Sequence, residues 1–184
     1  MAATDEHTIL PPPDFVAPKP NVLIVVAPYY RAIADDLIAG AKAMLDRAGA
    51  VHDLVEVPGA LEVPTAIRLA SGRYEGYVAL GCVIRGETTH YKTVCSDSSR
   101  GLTLLGLDGF CIGNGILTCE NMAQAEVRAA PGDQDKGGGA ANAALHLIAL
   151  QRRFAAPEPA AGGPGPDGED PILLAGHSGL TRTA

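Results

Sequence analysis

Apolar positions along the chain follow two alternating patterns from Asn21 onward. "NVLIVVAP" (residues 21–28) is continuously apolar and β-branched, the pattern of a strand buried on both faces. Ile33, Leu37, Ala41, Met44, Leu45 and Ala48 then recur at helical spacing, and Gly49 closes that stripe. "HDLVEVPG" predicts a second strand, and "ALEVPTAIRLASG" a helix whose Pro64 fits only in the first turn. "YEGYVALGCVI" predicts a third strand, residues 88–105 a helix, and "GFCIGNGIL" a fourth, glycine-rich strand. "TCENMAQAEVRA" predicts a short helix capped by Thr118, and a last helix runs from about Lys136 to Phe154.

Strands alternating with helices imply parallel β-strands joined by right-handed crossovers. The expected fold is therefore α/β, a three-layer α/β/α (flavodoxin-like) domain on a four-stranded parallel sheet spanning residues 21–154. In such sheets ligands bind beyond the carboxyl ends of the strands. "APYY", "PGALE", "RGETTH" and "GNGILT" all fall at that end. The last helix, "AANAALHLIALQRRF", is apolar nearly all round, which predicts burial on more than one side, the second against another subunit. Residues 1–20 are Pro-rich and nonperiodic, an extended arm. The Pro/Gly-rich stretch from residue 155 to 184 is expected to be a disordered tail.

Composition narrows the function. The chain has 184 residues, 47% of them hydrophobic, enough for one domain with a proper core. Its net charge of −7 and lack of any Lys/Arg block argue against nucleic acid as a partner. No apolar run approaches a membrane span, and the acidic N-terminus does not resemble a secretory signal, so the expected address is the cytoplasm. The four cysteines lack C-x-x-C spacing and are expected to be reduced. The five histidines lack metal-ligand spacing, so no metal is expected. Arg85, Arg128 and Lys136 are isolated cations able to serve a small anion.

"RGETTHYKTV" carries the densest candidate chemistry. Gly86 permits close backbone approach, the residues after it present free N–H groups at a helix start, and Thr88 and Thr89 add hydroxyls. His90 exchanges protons near neutral pH. The same residues also read as a capped helix start with a solvated His90. Arg128 suits either a helix C-terminus or a phosphate clamp, and Lys136 either a surface or a site. Glu62 either complements a helix dipole or accepts hydrogen bonds from a polyol. Tyr29 and Tyr30 end the first strand, where a ring can stack on a heterocycle or pack an edge.

In order and spacing, "VPGALEVP", "YEGYVALGCVIRGETTHY", "GNGILTCENMAQAEVRA" and "DKG" resemble the signature blocks of the 6,7-dimethyl-8-ribityllumazine synthase family. The resemblance implies condensation of 5-amino-6-(D-ribitylamino)uracil with 3,4-dihydroxy-2-butanone 4-phosphate to the lumazine, phosphate and water, without cofactor or metal. It makes His90 the proton-transfer residue, and Gly86, Glu87, Thr88 and Arg128 the phosphate site. Ala60, Leu61 and Glu62 would hold the ribityl chain and pyrimidine, with Val83 and Ile84 also against substrate. Lys136 would contribute from the far wall. Tyr29 takes the place of a stacking Phe, Tyr30 that of a small polar residue, and Asn114 that of an aromatic ring. The family's sites lie between neighbouring subunits of a pentamer, so a homo-oligomer of five or a multiple is implied. A slow or non-catalytic ribityllumazine- or flavin-binding relative and a purely structural assembly are the competing readings.

Overall fold

The computed structural model describes residues 10–155, so the start of the arm and the stretch from residue 156 onward, where a tail was expected, lie outside the described residues. Four parallel strands, β1 (Asn21–Ala27), β2 (Val51–Glu56), β3 (Gly76–Ile84) and β4 (Cys111–Cys119), form a sheet in the order β2-β1-β3-β4. Between and after them run α1 (Arg31–Arg47), α2 (Glu62–Leu69), α3 (His90–Leu107), α4 (Met122–Ala129) and α5 (Lys136–Ala155). The expected three-layer parallel architecture is present.

Alternation within the strands sorts the core into two layers. Val22, Ile24, Val26, Val78, Leu80 and Leu117 face α1, α4 and α5 together with Leu37, Leu45, Leu145 and Ile148. Leu23, Val25, Tyr77 and Ala79 face α2 and α3 with Val63, Ile67 and Leu102. β1 and most of β3 are buried on both faces, as their unbroken apolar runs require. β4 instead alternates, because it is an edge strand paired only with β3.

Two glycines let α5 lie flat on its neighbours. A Cβ at Gly113 would stand 1.8 Å from the Ala140 carbonyl oxygen, and one at Gly137 would stand 2.1 Å from that of Leu37. Within "KGGG", Gly137 is thus the close-packing position against α1, while a Cβ at Gly139 would meet nothing within 4 Å. Asp135 caps that helix, its carboxylate accepting from the Gly138 N–H at 2.9 Å.

Three expectations need correction. Thr118 does not cap α4: β4 continues through Cys119, pairing Thr118 with Val83, and Asn121 caps the helix by accepting from the Gln124 N–H. The β-branched Thr extends the ladder more favourably than it ends it. α2 is shorter than expected, starting at Glu62 because residues 57–61 form the turn that leaves β2. The apolar outer side of α5 is covered in part by the same chain. Residues 10–20 cross it, with Asn142 Nδ2 donating to the Leu10 carbonyl (2.8 Å) and His146 Nε2 to that of Pro11 (3.0 Å). Arg152 donates to the Pro18 carbonyl and to both Glu75 oxygens, with Phe15 beneath its guanidinium.

Candidate active site

The strand order reverses between β1 and β3: β1 leads outward to β2, and β3 leads the other way to β4. Where the connections part, the carboxyl ends of the two strands leave an open crevice. A cavity of about 530 Å³ lies there, between Ala27 with Tyr29 and Tyr30 after β1, the turn Pro58–Glu62 after β2, and Cys82–Ile84, Gly86, Thr88, His90, Tyr91 and Val94 around the end of β3.

Each wall follows from its local sequence. Tyr29 and Tyr30 meet edge to face, centroids 5.0 Å apart; Tyr29 is exposed, while Tyr30 packs against the core. Burial, with Tyr29 and Cys82 as neighbours, raises the Tyr30 pKa, so its hydroxyl stays a neutral donor. Ala60 is buried and Leu61 half exposed, and the Glu62 carboxylate folds back over Gly59, Oε2 falling 2.9 Å from where a Cβ there would lie. Glu62 opens α2, where negative charge is favoured. Cys82 belongs to the cavity floor; burial, reinforced by Cys119 alongside, pushes its thiol up to about 12. It is a neutral apolar surface, not a nucleophile. All four cysteines are free.

The chemistry concentrates on residues 86–90. No N–H of residues 86–89 donates to another described residue, and the His90 N–H reaches only Thr88 Oγ1 at 3.4 Å. Thr89 precedes α3 without a side-chain capping bond, so neither threonine acts as a strong cap. A Cβ at Gly86 would meet nothing within 4 Å, leaving the backbone open to approach. Free N–H groups at the start of an 18-residue helix attract an anion, with the exposed His90 imidazole beside them.

The expected site residues divide into two sets. Tyr29, Ala60, Leu61, Glu62, Val83, Ile84, Gly86, Thr88 and His90 line one cavity, with exposed Glu87 on the same loop. Asn114, Arg128 and Lys136 do not line it. Asn114 lies on the outward face of β4, its Oδ1 accepting from the Ile116 N–H at 3.0 Å, and lines a groove of about 690 Å³ between α3 and β4. Arg128 ends α4, donating to the Gln124 carbonyl at 3.0 Å, near enough to Cys119 to oppose the rise in that thiol's pKa. Lys136 is exposed at the start of α5. Arg85, expected to be a spare cation, instead pairs with Glu120. Tyr91 and Val94 line the cavity unanticipated; Val94 stands one turn on from both, i+4 from His90 and i+3 from Tyr91.

Among the described residues, no helix is long and apolar enough to cross a membrane, and no group of three or more His, Cys, Asp or Glu could hold a metal ion.

A crevice at the switch point, with unpaired N–H groups at a helix start and one imidazole beside them, defines a flavodoxin-like α/β domain with a site suited to a small anionic ligand. The profile of the 6,7-dimethyl-8-ribityllumazine synthase family matches residues 19–152. A 6,7-dimethyl-8-ribityllumazine synthase from Jannaschia sp. (strain CCS1) is 55% identical over 152 residues, covering 82% of this chain and 85% of its own. Enzymes of the same name from Novosphingobium aromaticivorans (57% identity; 72% of this chain, 96% of theirs) and Bartonella tribocorum (54%; 74% and 93%) are similar. The chain belongs to the 6,7-dimethyl-8-ribityllumazine synthase family.

Proposed function

We propose that the chain condenses 5-amino-6-(D-ribitylamino)uracil with 3,4-dihydroxy-2-butanone 4-phosphate, giving 6,7-dimethyl-8-ribityllumazine, phosphate and water. The observation that carries this is the juxtaposition of unpaired N–H groups on residues 86–89 with His90, at the mouth of the cavity walled by Tyr29 and Ala60–Glu62. Imine formation, loss of phosphate and ring closure require orientation and proton transfer more than a strong nucleophile. His90 moves the protons. Gly86, Glu87 and Thr88 receive the phosphate through backbone N–H and hydroxyl. The Ala60–Glu62 turn holds the ribityl chain, and Tyr29 and Tyr30 stack on or border the pyrimidine, with Val83 and Ile84 beneath it.

Among the described residues, no Lys or Arg lines this cavity. Arg128, Lys136 and Asn114 complete it when a second copy brings its β4–α4 edge against the first, a head-to-tail contact that closes into a ring, here a pentamer or a multiple of it. Arg128 then neutralises the phosphate. The free thiols fit a reducing compartment, the cytoplasm. Mixing the purified protein with both substrates tests the reaction: lumazine absorbance should rise together with phosphate, well above the spontaneous rate. A rate equal to the spontaneous one leaves a ribityllumazine- or flavin-binding protein.

A further inference from the structure

Arg85 is engaged within its own chain through its backbone N–H, two guanidinium nitrogens and the face of its guanidinium. Its N–H extends the β3–β4 ladder by donating to the Cys119 carbonyl at 2.9 Å. Its guanidinium grips Glu120 through two bonds, Nε to one oxygen and Nη2 to the other at 3.0 Å. The same guanidinium lies over the Tyr91 ring, 4.3 Å from the centroid. Glu120 directly follows β4, and its N–H is held by the Gln124 side chain at 3.0 Å. Tyr91 sits in the first turn of α3 and lines the cavity next to His90.

These contacts close a loop. Residues 86–90 leave Arg85 and return to Tyr91, whose ring packs against the Arg85 side chain, so both ends of the anion loop meet at one guanidinium. The loop itself has few internal bonds to fix it: the N–H groups of residues 86–89 are free among the described residues, and the capping hydroxyl is distant. A planar fork that chelates a carboxylate while stacking on a ring restrains direction as well as distance, which a lysine ammonium does not. Both carboxylate and guanidinium are about half exposed, so the pair contributes little to global stability. Its effect falls on local geometry.

We propose that Arg85 is a positioning residue: held by Glu120 and stacked on Tyr91, it fixes the Gly86–His90 loop so that the free N–H groups and the His90 imidazole face the cavity together. The proposal rests on the reaction assigned above. Arg85 is thereby distinguished from Arg128, the cation assigned to the phosphate.

The test compares steady-state kinetics of the full chain with those of Arg85→Gln, Arg85→Lys, Glu120→Gln and the Arg85→Gln/Glu120→Gln double variant. Arg85→Gln and Glu120→Gln should each lower kcat about tenfold, within the cost of a displaced catalytic group. The KM for the phosphate-bearing substrate should change by less than about threefold in each, since no phosphate ligand is removed. Arg85→Lys should resemble Arg85→Gln, and the double variant should be no worse than the poorer single, because the two residues act as a unit. Thermal midpoints should stay near the parent value. A phosphate-ligand role predicts the reverse: Arg85→Gln raises KM with kcat kept, Arg85→Lys largely rescues, and Glu120→Gln is harmless. That result, or parental kinetics in all four variants, overturns the proposal. If the parent protein itself does not turn over, the reaction assignment fails separately. Positioning is then read from the His90 ring resonances, located by their loss in His90→Ala. Matching shifts in Arg85→Gln and Glu120→Gln support the proposal, and unmoved resonances refute it.

Discussion

Two cavities among the described residues are similar in size and opposite in character. The first, about 530 Å³, is bounded by loops at the carboxyl ends of β1, β2 and β3, where N–H groups are unpaired and an imidazole is exposed. The second, about 690 Å³, is a groove between α3 and β4, lined by Lys92, Cys95, Ser99, Arg100, Leu104, Asn114 and Ile116 among others. There the backbone lies in regular elements, and Asn114 even covers the outward Ile116 N–H of the edge strand. The first cavity has open N–H donors and an imidazole, with no Lys or Arg among the described residues that line it. The β4 side of the chain has the cations, Arg128 on α4 and Lys136 on α5. Groups that the proposed reaction would use are thus built into two separate places among the described residues. Loops at strand ends hold His90 and the open N–H groups, and under the proposed function the edge of the sheet is the surface that would meet a neighbour.

The largest expected effect separates the two regions by kcat. His90→Ala should slow turnover by about 10- to 1000-fold, the usual contribution of a positioned acid–base group, with KM for either substrate little changed. A loss confined to KM would move His90 from proton transfer to binding. On the other side, Arg128→Ala should raise the KM of the phosphate-bearing substrate about tenfold and spare that of the pyrimidine, the signature of a lost charge-assisted bond. An unchanged KM would remove Arg128 from the site and leave the edge without a chemical role.

A smaller effect tests the amino end of the sheet, where a similar Arg–Glu pair has a structural task. Arg152→Ala removes its bonds to Glu75 and to the Pro18 carbonyl and its stacking on Phe15, and should cost about 1–2 kcal/mol of stability without altering kcat. The hydrogen bond from Arg152 is the main cause holding the Glu75 carboxyl below its ordinary value of 4.5. A depressed carboxyl stabilises the fold fully above that ordinary value and loses this contribution as pH falls through the lower folded value. Denaturant titrations between pH 6 and pH 3 should therefore show the parent and Arg152→Ala converging in stability toward acid. Curves that stay parallel would assign the cost to packing of the arm.

What the sequence made legible follows from how local each feature is. β1 and β3 are buried on both faces, and an unbroken apolar run reports that directly. The cavity loops were legible because the topology places every strand's carboxyl end together, so His90, Glu62 and Tyr29 could be grouped without coordinates. Register-dependent features were not legible. Arg85 meets Glu120 because parallel pairing sets Ile84 opposite Cys119, and nothing near Arg85 in the chain signals it. The same register draws Thr118 into the ladder and shifts the cap to Asn121. Burial around α5 was readable from its composition, but its cover includes residues 10–20, brought there by the Leu10–Asn142 and Pro18–Arg152 bonds between distant parts of the chain.

Subunit complementation tests most directly whether the two regions form one site. His90→Ala and Arg128→Ala chains, each weak alone, are co-expressed or dissociated and reassembled together, then assayed with the phosphate-bearing substrate well below its KM. In a head-to-tail ring formed at random, about a quarter of interfaces pair an intact His90 cavity with an intact Arg128 edge. Activity should rise well above the mean of the two parents. Activity equal to that mean would place His90 and Arg128 in one chain's site or in separate ones, and would contradict the shared site.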